Sequence, residues 1–190
     1  METVVDVELG SDTAIPLVKS NGAQIEVIDL SYGLPKGKKQ LLHNINLLIK
    51  PGDMVALMGP SGAGKSTLLD LIANRKIHGK LSGQVLINGK TWSKSFHRET
   101  AYCLQDDMHF PILTVEETIR YAAWTRMPRG TSAEAMEERV DLMISMMGLS
   151  HVRQTRVGGS HVKGISGGQM KRLSIAVEII SLPSLIFLGK

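Results

Sequence analysis

The alternation of apolar and polar positions predicts several short β-strands in the first half of the chain. The stretch "IEVIDLSYGL" alternates enough for a strand, and "LLHNINLLIKPGD" alternates at Leu42, Ile45, Leu47 and Ile49 before a Pro-Gly turn. Because strand patterns bounded by turn residues usually pair, these two stretches predict an antiparallel pair. The stretches "GQVLING" and "ETAYCLQ" predict two further strands.

Two other apolar runs lack this alternation. "MVALMG" ends in glycine and is followed by "KSTLLDLIANRK", in which the apolar residues have helical spacing. "LIFL" follows Pro183 near the end of the sequence. Short continuous apolar runs bounded by turn residues are typical of strands buried on both faces, so both runs are predicted to be buried parallel strands.

The middle of the chain has the pattern of a helical block. "TVEETIRYAAWTRM" begins with Thr114 and an early glutamate, which is a helix-start signal, and "SAEAMEERVDLMISMMGL" repeats it from Ser132 to Gly148. These stretches predict helices over about 114–149. A glycine-rich loop, "RVGGSHVKGISGGQ", then leads into a further predicted helix, "MKRLSIAVEIISL".

Length, composition and charge add further limits to this picture. The 190 residues fit one domain, and the net charge of +4 is not concentrated in a tract. Lys36, Lys38 and Lys39 cluster in one turn, for which a solvated loop is favoured over a nucleic-acid or lipid patch. Cys103 is the only cysteine, which excludes an internal disulfide.

Residues 1–23 have weak periodicity and are predicted to be a mobile tail. No stretch of the sequence has the length and apolarity of a membrane span.

The stretch "GPSGAGKST" matches the phosphate-loop pattern G-x-x-x-x-G-K-[ST], with a predicted strand before it and a helix after it. Gly62 and Gly64 allow the backbone to curl around phosphate oxygens, and the helix N-terminus attracts the anion. Lys65 would reach the β- and γ-phosphates, Ser66 would bind Mg²⁺, and Thr67 would reach the α-phosphate. The predicted phosphate-binding residues are Gly59, Pro60, Ser61, Gly62, Ala63, Gly64, Lys65, Ser66 and Thr67.

The phosphate loop alone suits kinases, GTPases and transport ATPases, but other motifs are more specific. "ISGGQMKR" resembles the signature motif of the ATPase domains of ABC transporters, and "YCLQDD" resembles the family's Q-loop, with Gln105 at its centre. Tyr32 in "LSYGL" lies where this family has an aromatic residue. The phrases "GPSGAGKSTLLDLIANRK", "QDDMHFPILTVEETIRYAA" and "ISGGQMKRLSIAVEII" resemble the G subfamily of eukaryotic half-transporters, over residues 24–188.

This resemblance implies an α/β fold of the P-loop NTPase class. It would have a RecA-like parallel core, an antiparallel β subdomain and an ABC-type helical subdomain over about 114–165, all within an ATP-binding domain of residues 24–190. Tyr32 would stack on adenine. Gln105 would contact Mg²⁺ and the attacking water as the catalytic residue of this chain.

The resemblance also implies a partner. The signature residues would meet the γ-phosphate of an ATP molecule that is bound to a second ABC ATP-binding domain, in a head-to-tail homo- or heterodimer. These residues are Ser166, Gly167, Gly168 and Gln169. The full-length family member would carry a transmembrane domain, with the ATP-binding domain on the cytoplasmic side, and no nucleic-acid partner is expected.

Several of these residues also have plainer interpretations. Tyr32 also suits ordinary strand packing, and Gln105 also suits a surface turn. Asp106, Asp107 and His109 suggest a metal site, but no further histidine lies nearby to complete a ligand set, so we interpret them as loop residues.

The resemblance breaks off after "LIFL". The family has Asp and then Glu there, whereas this chain has Gly189 and Lys190, and the family's later motifs would lie beyond. We therefore expect a fold that is incomplete at its C-terminus, with a gap in the parallel sheet, weak ATP binding and poor hydrolysis, since a positioned general base contributes about 10²–10⁴-fold.

Three functions compete at this stage. The first is the ATPase domain of a G-type transporter that couples ATP hydrolysis to export. The second is an ATP-binding regulator that does not hydrolyse ATP and that pairs with an intact half-transporter. The third, a P-loop kinase or GTPase, is disfavoured by the signature motif and by the helical block.

Overall fold

The computed structural model describes residues 22–34, 39–76, 78–93, 96–159 and 162–189. Most of the predicted tail, together with Lys36, Lys38 and Lys190, lies outside these ranges. The strands are β1 Ile25–Gly33, β2 Gln40–Ile49, β3 Lys80–Ile87, β4 Thr100–Cys103 and β5 Leu185–Leu188. The helices are α1 Lys65–Ile72, α2 Phe96–Glu99, α3 Val115–Arg126, α4 Ala133–Met146 and α5 Gly167–Ile179, with a 3₁₀ turn at Ser150–Val152.

An antiparallel sheet has the strand order β2-β1-β3, which confirms the predicted pair and adds "GQVLING" on the other side of β1. Val27 and Leu30 of β1 are both buried, although strict alternation would place them on opposite faces. Asp29 lies between them with a φ of +48°, and the register of both pairings shifts there. This irregularity restores the buried face for Leu30 and Tyr32.

A second sheet is formed by β4 and β5, which pair in parallel from Thr100 with Leu185 to Cys103 with Leu188. The stretches "ETAYCLQ" and "LIFL" are therefore strands, as predicted. The ring of Tyr102 on β4 stacks against the ring of Phe187 on β5, with centroids 5.8 Å apart. The fold is thus mixed α/β, with an antiparallel and a parallel sheet.

The prediction of a buried strand at "MVALMG" is wrong. Residues 53–60 are irregular, and the side chains of Met54 and Met58 are 79% and 84% exposed. A strand needs a hydrogen-bonded neighbour, and no described strand lies between this segment and β5. A cleft of about 970 Å³ is lined by both this segment and β5.

The helical block is present, with its predicted start signals. Thr114 caps α3 in a capping box with Glu117, and Ser132 caps α4 by accepting a hydrogen bond from the Ala135 amide. The core that these helices share with α5 is aliphatic, and it includes Ile119, Val140, Met143, Leu149 and Leu173.

A buried carboxylate joins α3 to the turn that follows α4. Glu116 is 7% exposed and accepts hydrogen bonds from Arg120, from Gln154 and, in a two-bond contact of 2.8 and 2.9 Å, from Arg153. Arg120 also pairs with Glu137 on α4. Because the hydrogen bonds from Arg153, and secondarily from Arg120, outweigh the effect of burial, they lower the pKa of Glu116 to about 2.

We predict that Glu116→Ala lowers the free energy of unfolding by about 2–3 kcal/mol, because it leaves two partly buried guanidinium groups without their shared acceptor. Urea unfolding followed by circular dichroism measures the change. Glu138→Ala is the matched control, since Glu138 is exposed on α4 and should change stability by less than about 0.5 kcal/mol. Equal effects of the two substitutions would contradict this account of the cluster.

The same carboxylate predicts a pH dependence. The pKa of Glu116 in the folded protein, about 2, lies below its ordinary value of 4.5. Its contribution to the free energy of unfolding is therefore complete above pH 4.5 and is lost as the pH falls toward 2. The stability difference between the wild type and Glu116→Gln should therefore shrink over that interval. Chemical unfolding at a series of pH values measures it, and a difference that does not change with pH would refute the assignment.

Candidate functional site

The glycine-rich loop before α1 has the geometry of an anion cradle. Gly59, Gly62 and Gly64 have φ values of +148°, +81° and +93°, which side chains with a Cβ rarely adopt. Gly64 is the N-cap of α1 and offers no side-chain acceptor to the first helical N–H groups. A helix start without a side-chain cap, beside an exposed glycine loop, fits a phosphate group.

Lys65 lies folded over this loop. Its Nζ donates to the carbonyl oxygens of Gly59 and Pro60, both at 2.8 Å. The ammonium group is therefore held at the loop by two acceptors of the loop itself. Ser66 is exposed beside it, and the Thr67 hydroxyl accepts from Lys76 at 3.5 Å.

The structure brings Gln105 to the same cleft as the start of α1. Gln105 is exposed in the bend that follows β4, and it lines the 970 Å³ cleft together with Lys65, Ser66 and Asp70. Met54 and the residues of β5 also line this cleft. The predicted phosphate-binding and Q-loop residues thus converge, although they are 40 positions apart.

Tyr102 connects α1 to β4 and was not identified from the sequence. Its hydroxyl donates to Asp70 at 2.7 Å, and the guanidinium of Arg75 lies 4.3 Å from its ring centroid. Burial, followed by the hydrogen bond to Asp70, raises the pKa of Tyr102 to about 12, so the phenol keeps its proton. In the sequence, this tyrosine gives no signal beyond its place in a strand pattern.

The signature residues begin α5. Ser166 is the N-cap and forms a capping box with Gln169: the Ser166 amide donates to Gln169 Oε1 at 2.7 Å, and the Gln169 amide donates to Ser166 Oγ at 3.4 Å. Gly167 and Gly168 are exposed in the first turn. None of the four lines the cleft that holds Lys65 and Gln105. They form a separate surface.

Gly158 and Gly164 allow two backbone segments to approach each other closely just before α5. Ile165 donates its amide to Val157 O at 3.2 Å, which brings two backbone segments together. A Cβ on Gly158 would lie 2.5 Å from Gly164 Cα, and a Cβ on Gly164 would collide with the Val157 carbonyl group. The close backbone approach therefore requires glycine on both sides.

Tyr32 does not line the cleft that holds Lys65 and Gln105. Its ring is 2% exposed within the core of the antiparallel sheet, its hydroxyl donates to His78 O, and Lys76 Nζ lies 5.7 Å from the ring centroid. A ring that stacks on a base needs an open face. These contacts favour the strand-packing interpretation, and the stacking role stays a prediction.

Two of the residues that follow Gln105, Asp107 and His109, contact α5. Asp107 pairs with Lys171 at 2.8 Å, and His109 Nε2 lies 2.7 Å from Ser174 Oγ. Asp106 is exposed next to them.

The exposed glycine loop and the helix that follows it, within a mixed α/β fold, are typical of a P-loop nucleoside-triphosphate-binding domain. The model of the ABC transporter family matches residues 42–188. The chain is 35% identical over 200 residues to ABC transporter G family member 22 of Dictyostelium discoideum, a match that covers 98% of this chain and 32% of that protein.

Two plant proteins give similar matches. The chain is 44% identical to ABC transporter G family member 41 of Oryza sativa subsp. japonica, over 83% of this chain and 11% of that protein. It is also 44% identical to member 26 of Arabidopsis thaliana, over 82% of this chain and 23% of that protein.

The chain therefore belongs to the ABC transporter family, as a nucleotide-binding domain of its G subfamily. It spans a third or less of the length of these relatives. Within the described ranges, no helix has the length and apolarity that crossing a membrane requires.

We predict that Gly164→Ala lowers the free energy of unfolding by about 1–3 kcal/mol, because its Cβ forces the Val157 carbonyl to move. Gly167→Ala is the matched control. Its Cβ meets nothing within 4 Å at the first turn of α5, so stability should be unchanged or rise by up to about 1 kcal/mol. Thermal and urea unfolding of both variants measure the effect, and a Gly164→Ala variant as stable as Gly167→Ala would disprove the close approach.

Proposed function

We propose that this chain binds Mg²⁺-ATP through the loop at residues 59–67, as the nucleotide-binding part of a G-type ABC transporter. One observation carries the proposal: the Lys65 ammonium group lies over an exposed glycine loop at the uncapped N-terminus of α1. The cation, the backbone N–H groups and the helix dipole together favour the binding of a triphosphate.

Binding would exchange the acceptors of Lys65. Phosphate oxygens would replace the carbonyls of Gly59 and Pro60, and a charge-assisted hydrogen bond to phosphate is stronger than one to a carbonyl. The Ser66 hydroxyl and the Gln105 amide oxygen would hold Mg²⁺ at the cleft. The metal ion would supply positive charge to the phosphates.

The signature surface supports a proposal about the partner. Ser166 and the glycines that follow it are exposed at the N-terminus of a 13-residue helix, away from the cleft of this chain. We infer that Ser166, Gly167, Gly168 and Gln169 meet the γ-phosphate of ATP on a second ABC domain in a head-to-tail pair. Export across a membrane would then be the activity of the complete transporter, with this domain on its cytoplasmic side.

One observation favours an ATP-binding regulator over an efficient hydrolase. Gly189 follows β5 directly, and its amide donates to Cys103 O at 2.9 Å. At this position the family resemblance implies an aspartate that orients the metal, and glycine has no group with which to do so. We therefore propose that the chain holds ATP weakly and cleaves it slowly by itself.

The test is equilibrium binding of ATP in the presence of Mg²⁺, measured by calorimetry on the wild type and two lysine variants. Lys65→Ala should weaken binding by about 10–100-fold, because hydrogen bonds to charged groups contribute about 1.5–3 kcal/mol. Lys90→Ala removes the same charge from an exposed lysine that does not line the cleft, and it should bind like the wild type.

Equal affinities of the two variants, or no binding by the wild type, would refute the proposed site. Single-turnover hydrolysis by the same proteins separates the hydrolase from the regulator. Turnover that depends on Lys65 would favour the hydrolase, and Lys65-dependent binding without turnover would favour the regulator.

A further inference from the structure

One face of α5, the helix that the signature residues begin, contacts the segment that contains Gln105. Lys171, Ser174 and Glu178 are spaced by three and four residues, which places them on the same side of a helix. All three contact the segment at residues 102–109. Ser174 pairs with His109, and Glu178 accepts a hydrogen bond from the Tyr102 amide at 3.4 Å.

Lys171 makes the most extensive of these contacts. Its Nζ donates to Leu104 O at 3.1 Å, to Gln105 O at 3.0 Å and to Asp107 Oδ1 at 2.8 Å. An ammonium group has three donors, so these three acceptors satisfy it completely. Two of the acceptors are consecutive main-chain carbonyls. Lys171 therefore holds the backbone that carries the Gln105 side chain.

The charges at this contact suit that arrangement. Burial alone would raise the pKa of Asp107, but hydrogen bonds from Lys171 and Ser174 outweigh it and hold the pKa below its usual value. The hydrogen bond with Asp107 also raises the pKa of Lys171. Both groups are therefore charged at neutral pH. In an ordinary surface ion pair, Lys171 would contact Asp107 alone. Here its ammonium group also donates hydrogen bonds to two main-chain carbonyls.

We propose that Lys171 is a positioning residue that ties the backbone of Leu104 and Gln105 to the helix that Ser166 begins. The cleft residue Gln105 and the signature surface then move as one unit. A change at the nucleotide that displaces Gln105 is transmitted to Ser166 through α5 without an intervening hinge. The attachment itself does not depend on nucleotide binding, but its consequence for ATP rests on the proposed function.

The experiment is hydrogen–deuterium exchange on the full chain without nucleotide, for the wild type, Lys171→Met, Lys171→Arg and Lys163→Met. Lys171→Met keeps the length of the stem and removes the donors. We expect the amides of residues 104–109 to exchange about three- to tenfold faster in it, since the segment loses three hydrogen bonds from one charged donor. Lys171→Arg should keep most of the protection.

The control lysine, Lys163, is exposed outside this contact, and Lys163→Met should exchange like the wild type. Unchanged exchange of residues 104–109 in Lys171→Met would overturn the proposal. An equal acceleration throughout α3 and α4 would also overturn it, because that result would indicate general destabilisation.

A second measurement adds Mg²⁺-ATP to the same proteins. In the wild type, ATP should slow exchange both at residues 104–109 and at the first turns of α5, and Lys171→Met should lose the second effect. If the wild type shows no ATP effect, the proposed function fails while the exchange result without nucleotide still decides the role of Lys171. If Lys171→Met retains the ATP effect at α5, the transmission is refuted.

Discussion

The contact between the polar face of α5 and the chain that leaves β4 is the constraint on which the site depends. β4 is only four residues long and pairs with one described strand, so the bend after it needs support from elsewhere. Lys171 supplies that support by binding the carbonyls of Leu104 and Gln105. Since the same helix begins with Ser166, one rigid element sets the positions of the cleft glutamine and of the signature surface.

The remaining structure divides into parts that this helix connects. The phosphate loop precedes α1, and the hydrogen bond between Tyr102 and Asp70 joins α1 to β4. The helical block packs on the other side of α5 and is held by the buried Glu116 cluster. The path from Lys65 to the signature surface therefore runs through polar contacts between elements that are far apart in sequence. This path would carry the transmission that we propose from the nucleotide to the signature surface.

Local patterns predicted the parts of this site that depend on neighbouring residues. The glycine spacing predicted the loop that precedes α1, and Thr114 and Ser132 marked helix starts, because a cap acts within four residues. The apolar run "MVALMG" was misassigned, since an apolar run cannot show whether a partner strand is present.

Contacts over long separations were also beyond the sequence. A lysine or a glutamate looks the same in the sequence whether solvent or a distant loop surrounds it, so neither Lys171 nor Glu116 was identified.

The most direct test is a crystal structure of the chain with Mg²⁺ and a non-hydrolysable ATP analogue. It should show the triphosphate in the loop, Lys65 transferred from the Gly59 and Pro60 carbonyls to phosphate, and Lys171 still on Leu104 and Gln105. A triphosphate bound elsewhere, or a Gln105 segment that has left Lys171 while α5 keeps its place, would contradict the account.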